Sequence, residues 1–233
     1  MLYWNKHYRI QGFLHFRTDI GDGVRSAILF RHCQGDCHCA CLPYPFIPEH
    51  AYGEDAAEKL SYTVAELKAY LTEEKLWYSS GPLGINFMGA EPMREADLCY
   101  DLARHVKKLG MHLQVETCGH VSEDVFKRMR PVTDLFLLRL LSPIPHLHRP
   151  FRDYSYEQVW SRVCFLDQSD YPNRIQIPVI QGLNHHAAGA FATVIMEMKN
   201  FKSVVLDFRR SGMSDEEIAQ YRAVFKNYGI PLY

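Results

Sequence analysis

Residues 27–41, AILFRHCQGDCHCAC, join a short apolar run to a dense group of cysteines. Four cysteines fall within nine positions and follow the spacing C-x3-C-x-C-x-C: Cys33, Cys37, Cys39 and Cys41. In a near-neutral chain of this length, clustered cysteines favour a metal site over disulfides. Thiolates are soft ligands that suit zinc, copper(I) and iron–sulfur clusters. The stretch therefore predicts a strand that leads directly into a metal-binding loop.

Three interpretations of this cysteine group stay open. Three closely spaced thiolates after a strand can hold three irons of a [4Fe–4S] cluster and leave the fourth iron open to a ligand. Zinc is an alternative, because four thiolates together with His32 and His38 could close a tetrahedral site. A loop without metal is the third. The remaining cysteines are predicted to pack as small buried hydrophobes: Cys99, Cys118 and Cys164.

Outside the cysteine stretch, short β-rich runs alternate with longer helical segments. The predicted strands are Ala27–Arg31, Ile85–Met88, His112–Val115, Asp134–Leu138, Arg174–Ile180 and Ser203–Phe208. The predicted helices run from Thr63 through Leu71, over Arg94–Leu109, from Ser122 to before Pro131, over Tyr156–Leu166 and Ala187–Lys199, and from Ser214 to Gly229. Capping-box sequences open the first and last of these helices.

Six strand–helix alternations predict an α/β fold with a parallel sheet and crossover helices. No Gly/Ser-rich linker or internal repeat divides the chain, so we expect one domain over residues 1–233. Six units are too few for an eight-fold barrel but suit a partial, open one, with ligands at the carboxyl ends of the strands. The cysteine group should share that rim with three polar segments: Gly89–Pro92, Glu116–Gly119 and Gln181–Asn184.

Charge and hydropathy exclude several classes of partner. The 233 residues carry 26 Lys and Arg against 27 Asp and Glu, a formal net charge of -1. This balance gives no electrostatic footprint for nucleic acid or an anionic membrane surface. No stretch reaches the roughly 20 apolar residues of a membrane-spanning helix, and the N-terminus has no apolar run of signal-peptide length. We therefore expect a soluble, cytoplasmic protein that binds neither nucleic acid nor membrane.

The order of the motifs resembles a known family. The segments that carry the resemblance are Gly21–Arg25, Cys33 with Cys37, Tyr62–Leu67, Gly89–Pro92, Val115–Gly119, Val132–Leu137 and Ile177–Gly182. This set, which covers nearly the whole chain, resembles the glycyl-radical-enzyme activases of the pyruvate formate-lyase activating type. These are small members of the radical S-adenosylmethionine (SAM) superfamily.

The resemblance implies a fold, an activity and partners. The fold would be a partial (βα)6 barrel of the radical SAM type, with its cluster loop after the first strand. The activity would be that of an oxidoreductase: reductive cleavage of SAM at a [4Fe–4S] cluster gives a radical that abstracts hydrogen from a glycine of a partner enzyme. A flavodoxin or ferredoxin would donate the electron. We expect the protein to be a monomer.

The resemblance also assigns the catalytic metal ligands. Cys33 and Cys37 match the first two cluster ligands of the family spacing C-x3-C-x2-C. That spacing places the third ligand at Ala40, which lies between Cys39 and Cys41. Because neighbouring Cα atoms are about 3.8 Å apart, a one-residue adjustment brings either thiolate into place. We favour Cys41, since the longer loop is less strained, and keep Cys39 as the competing ligand.

Further matches imply the SAM-binding residues. Gly89, Ala90 and Glu91 match the segment that meets the methionine end of SAM, with an alanine at the middle glycine of the family motif. Thr117 matches the polar residue of a second SAM-contacting segment. The remaining two assigned residues depart from the family, because Arg139 stands where relatives usually carry an Asp and Arg209 where they carry a His.

Two alternatives remain beside the activase hypothesis. One is a radical SAM enzyme similar to 7-carboxy-7-deazaguanine synthase, which is also small and uses a similar Glu-Thr-x-Gly segment. The turn Gly21–Arg25 and the run Val132–Leu137 fit the activases better. The other alternative is a non-catalytic relative in which a metal only stabilises the fold.

Overall fold

The computed structural model describes residues 6–30, 61–78, 81–144 and 156–233. Within these ranges the chain forms eight strands and six α-helices, which divide into two compact units. The first unit contains the described residues up to 116 together with 121–134, and the second contains 117–120 and the described residues from 135 onward. No helix in the described ranges is long and apolar enough to cross a membrane.

The first unit is built on a mixed sheet. Its elements are β1 (His7–Arg17), β2 (Val24–Phe30), β3 (Ser61–Thr63), α1 (Val64–Trp77), β4 (Leu83–Gly89), α2 (Ala96–Lys108), β5 (His112–Thr117) and α3 (Glu123–Met129). The strand order is β3-β1-β2-β4-β5. Strands β2, β4 and β5 run parallel, whereas β1 is antiparallel to both β2 and β3. The three parallel strands put their carboxyl ends at one edge of this unit.

Burial and capping explain why these segments form the first unit. All seven residues of β4 and six of the seven in β2 are buried, as expected for parallel strands covered on both faces. Helix α1 begins with a complete capping box, in which the Thr63 hydroxyl accepts the Glu66 N–H and the Glu66 carboxylate accepts the Thr63 N–H. Leu67 and Leu71 of this helix are fully buried in the core.

A buried arginine organises the amino end of β2. Arg25 is 2% exposed, and its guanidinium donates to Asn86 Oδ1 and, at 3.0 Å, to the carbonyl of Ile85. Gly84 leaves room for it, since an added Cβ would lie 2.4 Å from Arg25 Nη1. The motif Gly21–Arg25 therefore builds the amino end of the strand, opposite the edge where ligands bind in such folds.

The second unit has a parallel three-stranded arrangement. Its elements are β6 (Leu135–Arg139), α4 (Tyr156–Gln168), β7 (Asn173–Ile180), α5 (Ala188–Met196), β8 (Phe201–Arg210) and α6 (Asp215–Asn227). The order is β6-β7-β8, with both pairs parallel. Helix α6 opens with the predicted capping box of Ser214 and Glu217. The three strands again bring their carboxyl ends to one edge.

The predicted strands are all present, with shifts of a few residues at their ends. Arg31, the predicted end of the first strand, lies outside the described residues. Two strands at the start of the sheet, β1 and β3, were not predicted. Bulges after Ile10 and Leu14 break the alternation of β1, which removes the period-2 signal. Whether residues 1–233 behave as one domain stays a prediction.

Two helix ends were predicted wrongly. Helix α1 continues from Leu71 to Trp77, because residues 73–76 (Glu, Glu, Lys, Leu) are good helix formers. Helix α5 ends at Met196 instead of Lys199. There the Asp167 carboxylate accepts the backbone N–H groups of Lys199 and Asn200, at 2.7 and 2.8 Å, and so stabilises a turn in place of the last helical residues.

Candidate functional site

The predicted metal ligands lie outside the described residues. Cys33, Cys37, Cys39 and Cys41 all fall in the undescribed range 31–60. Among the residues that the structure does describe, no group of three or more His, Cys, Asp or Glu side chains could hold a metal ion. Two of the three remaining cysteines are buried as predicted, Cys99 and Cys118, whereas Cys164 is partly exposed.

In the first unit, the carboxyl ends of β2 and β4 meet at Phe30 and Gly89. These residues are register partners, and the Ala90 N–H donates to the Phe30 carbonyl at 3.2 Å. Gly89 has φ = 102°, and an added Cβ would lie 2.5 Å from the Phe30 carbonyl oxygen. Only glycine fits there without a shift of the neighbouring backbone. Phe30 precedes Cys33 by three positions in the sequence.

Glu91 follows directly and is buried, at 4% exposure. Its carboxylate accepts the Met93 N–H at 3.4 Å and caps the short 3-10 helix Pro92–Arg94. Burial, with a contribution from the Glu91 carboxylate, raises the pKa of Cys99. A buried carboxyl group therefore follows Gly89 and Ala90 directly, and in its ionised form it suits a cationic group such as an amine.

Thr117 is the last residue of β5 but is assigned to the second unit, and it forms a tight turn there. Thr117 is fully buried, and its Oγ1 accepts the Gly119 N–H at 3.0 Å. Gly119 has φ = 77°, a left-handed conformation that favours glycine. Cys118, between them, is 2% exposed. The turn fixes the Thr117 hydroxyl at the edge predicted for SAM contact.

Arg139 joins that turn to the neighbouring strand. It is the last residue of β6 and is 4% exposed. Its Nη1 donates to Cys118 Sγ at 3.7 Å, and its Nε lies 3.5 Å from Gln176 Oε1 on β7. The structure therefore brings Arg139 and the Thr117 turn together through Cys118. A buried guanidinium at this edge suits an anionic group such as a carboxylate.

Arg209 lies near the end of β8 and pairs with Asp207. Its guanidinium makes two hydrogen bonds to the Asp207 carboxylate, one of them from Nε to Oδ1 at 2.8 Å. Burial acts to raise the pKa of Asp207, but the bonds from Arg209 and the charge of Arg139 outweigh it, so that the pKa lies below its ordinary value. Arg139 and Arg209 are thus linked electrostatically through one carboxylate.

Two residues of this edge, Gln176 and Asp207, were not predicted from the sequence, and neither were the contacts of Asn184. Gln176 and Asp207 interrupt otherwise apolar strand runs, and a polar residue inside such a run is a usable signal. Asn184 lay within the predicted polar segment Gln181–Asn184, but no sequence pattern marks the contacts that its side chain makes.

Several activating enzymes are related in sequence to this chain. It is 21% identical over 194 residues to the choline trimethylamine-lyase activating enzyme of Oleidesulfovibrio alaskensis. The aligned region covers 73% of this chain and 63% of that protein. It is 25% identical over 124 residues to the trans-4-hydroxy-L-proline dehydratase activating enzyme of Clostridioides difficile, with 53% and 41% covered. This chain is a homologue of glycyl-radical-enzyme activating enzymes. The predicted relationship is confirmed, at modest identity.

The homologue spans less than two thirds of the length of these relatives, with 63% and 41% of the two proteins covered. No protein-family model matches the chain. The names of the relatives favour the activase hypothesis over the alternative similar to 7-carboxy-7-deazaguanine synthase.

Solved structures confirm the predicted α/β fold for this homologue. A domain of pyruvate-formate lyase-activating enzyme from Bacteroides vulgatus superposes with a TM-score of 0.58 at 21% identity, covering 66% of this chain and 98% of that domain. SuiB of Streptococcus suis bound to S-adenosylmethionine gives a TM-score of 0.55 at 13% identity, over 71% of this chain and 38% of SuiB. A partial barrel agrees with these likenesses.

Proposed function

We propose that this homologue is a radical SAM activase that installs a glycyl radical on a partner enzyme. The observation that carries the proposal is the sequence relationship to activating enzymes, which extends over 194 residues. The position of the cysteine group supports it, because the group follows the buried strand β2 directly in the sequence. Clustered thiolates after a strand are suited to an iron–sulfur cluster.

The proposed cluster is of the [4Fe–4S] type. Cys33, Cys37 and one of Cys39 and Cys41 would hold it, with Cys41 preferred, and these are the proposed catalytic ligands. When bound, such a cluster would supply the electron for reductive cleavage of SAM, the chemistry that would lead to hydrogen abstraction from the partner's glycine. A flavodoxin or ferredoxin would be the electron donor.

We propose SAM-binding residues in each unit taken by itself. In the first unit, Gly89 and Ala90 offer backbone at the end of β4, and the buried Glu91 carboxylate fits a cationic amino group. In the second unit, Thr117 offers a hydroxyl, and the Arg139 guanidinium fits a carboxylate. Each set by itself therefore fits one polar group of an amino acid such as the methionine part of SAM: an amino group in the first unit and a carboxylate in the second.

Arg209 is proposed as a further SAM-binding residue. Its pairing with Asp207 holds the guanidinium near the end of β8 and leaves its side chain 44% exposed. The proposed location of the protein is the cytoplasm and the proposed state a monomer, with no nucleic acid or membrane as partner.

Anaerobic iron reconstitution tests the proposed function. The expected product contains roughly four irons, absorbs broadly near 400 nm and cleaves SAM when dithionite is added. Stoichiometric zinc without SAM cleavage would contradict the proposal and favour the non-catalytic, metal-stabilised alternative.

A cysteine-to-alanine series tests the ligand assignment separately. Cys33→Ala and Cys37→Ala should each abolish cluster loading. Of the two single variants Cys39→Ala and Cys41→Ala, only one should do so, and the other should load normally. Cys164→Ala is the control, because Cys164 lies on α4, outside the cysteine group, and its loss should leave the iron content unchanged. If Cys39→Ala and Cys41→Ala both load iron normally when each is tested alone, the assigned register is wrong.

A further inference from the structure

A buried asparagine, Asn184, ties together the segments that follow β6 and β7. It is 1% exposed, and its Oδ1 accepts the Ile180 N–H at 2.7 Å. Its Nδ2 donates to two carbonyl oxygens, that of Pro178 at 2.8 Å and that of Leu141 at 3.0 Å. Both hydrogens of the side-chain amide are therefore used.

The bond to Leu141 acts where ordinary strand pairing stops. Strand β6 ends at Arg139, and the next amide, Leu140 N–H, donates to the Gln176 carbonyl at 2.8 Å. The Asn184 amide then holds the following carbonyl, that of Leu141. The backbone on the carboxyl side of Arg139 is thus fixed by two successive hydrogen bonds, which restricts the orientation of the buried guanidinium.

The side chain of Gln181, on the same loop, lies close to the turn after β8. Gly212 has φ = 64°, and an added Cβ would lie 2.5 Å from Gln181 Oε1. The segments that follow the three strands of the second unit are therefore in contact: Asn184 reaches the segment after β6, and Gln181 reaches the segment after β8. Such support by neighbouring residues fixes the groups that bind a ligand.

We propose that Asn184 is a positioning residue, which holds the Leu141 carbonyl and thereby orients Arg139 for ligand binding. The expected effect of Asn184 on SAM binding rests on the proposed function. The structural part, the restraint of the segment after Arg139, does not depend on any ligand. Asn184→Asp is nearly isosteric but replaces the two donated hydrogens by an acceptor that faces two carbonyl oxygens.

The chain contains a matched control at the opposite end of β7. Asn173, the first residue of that strand, is fully buried. Its Nδ2 also donates to two carbonyl oxygens, that of Tyr171 at 2.9 Å and that of Asn200 at 3.0 Å. Asn173→Asp therefore removes the same kind of bonds in the same unit, but at the amino end of the strand.

The first experiment measures hydrogen exchange of the protein without added cofactor. In Asn184→Asp, the Leu140 amide should exchange at least tenfold faster than in the wild type, because its pairing with Gln176 loses support. In Asn173→Asp the exchange of Leu140 should stay at the wild-type rate. Equal exchange at Leu140 in all three proteins, or equal acceleration in both variants, would overturn the restraint.

The second experiment measures SAM affinity of the anaerobically reconstituted proteins by equilibrium dialysis. Asn184→Asp should weaken SAM binding about tenfold or more, whereas Asn173→Asp should change it by less than threefold at equal folded fraction. Equal weakening in both variants would mean that Asn184 is merely structural. If the wild type binds no SAM, the proposed function fails, and hydrogen exchange alone decides the restraint. Asn184→Ser also loses the bond to Leu141 and replaces the aspartate variant if that one does not fold.

Discussion

At the scale of single residues, Gly84 lacks a side chain where the buried Arg25 needs space. An alanine Cβ would lie 2.4 Å from Arg25 Nη1 and 2.5 Å from Cζ. The guanidinium cannot move away freely, because it is bonded to Asn86 and to the Ile85 carbonyl. We expect Gly84→Ala to lower the free energy of unfolding by about 2 kcal/mol, a typical cost of overpacking a core. Denaturant unfolding measures this change in the free energy of unfolding.

Gly81→Ala is the control for this prediction. A Cβ at Gly81 would meet no atom within 4 Å. Its free energy of unfolding should stay within about 0.5 kcal/mol of the wild type, as for surface substitutions in general. Equal stability of Gly84→Ala and Gly81→Ala would contradict the proposed role of Gly84.

The Asp207–Arg209 pair should make stability depend on pH. The pKa of Asp207 is below its ordinary value in the folded chain, so the fold binds its proton less tightly than the unfolded chain does. The stabilisation is therefore present above about pH 4, the ordinary range of an aspartate, and is lost as the pH falls through the lowered pKa of Asp207.

We expect Asp207→Asn to cost about 1 kcal/mol near neutral pH, since solvent screens the partly exposed Arg209. At a pH below the lowered pKa of Asp207, wild type and variant should converge. Unfolding by denaturant over a range of pH values measures both. Asp170→Asn is the control, because Asp170 is exposed and asparagine tolerates its positive φ of 37°. A difference between wild type and Asp207→Asn that persists in acid would refute the assignment.

At the scale of secondary-structure elements, two helices begin with a serine N-cap, but only one of the two serines makes a capping hydrogen bond. Comparing them measures how much that bond contributes to stability. Ser214 is the N-cap of α6, and its hydroxyl accepts the Glu217 N–H at 3.3 Å. Ser122 is the N-cap of α3, but its side chain makes no capping hydrogen bond. Ser214→Ala should therefore cost about 1 kcal/mol of stability, and Ser122→Ala only a few tenths. Equal costs in thermal or denaturant unfolding would show that the capping bond does not matter here.

The elements differ in how far the sequence predicts them. Strands such as β4 and β7 are recognisable because they are apolar runs bounded by turns, and both capping boxes are local patterns. Strand β1 escapes prediction because its bulges break the local alternation. The supporting bonds of Asn184 escape it for another reason: they join residues 43 positions apart, Asn184 and Leu141, which only the folded chain brings together.

At the scale of the whole molecule, sequence and structure inform different parts of the proposed site. The cysteine group is recognisable from its spacing alone, whereas the contacts of Glu91 and Arg139 require the fold. Relatives and solved structures support the family relationship and the fold. The proposed binding of SAM is open to a direct thermodynamic measurement.

A ligand that binds only the folded chain raises its stability by an amount set by concentration and affinity. SAM at one hundred times its dissociation constant should stabilise the reconstituted protein by about 2.7 kcal/mol. For a chain of this size, that corresponds to a rise in Tm of roughly 5–10 °C. The shift should be much smaller in Glu91→Gln, which lacks the buried charge proposed to meet the amino group. Calorimetry with and without SAM measures both shifts. An equal shift in Glu91→Gln and wild type would remove Glu91 from the binding site, and no shift in the wild type would refute SAM binding.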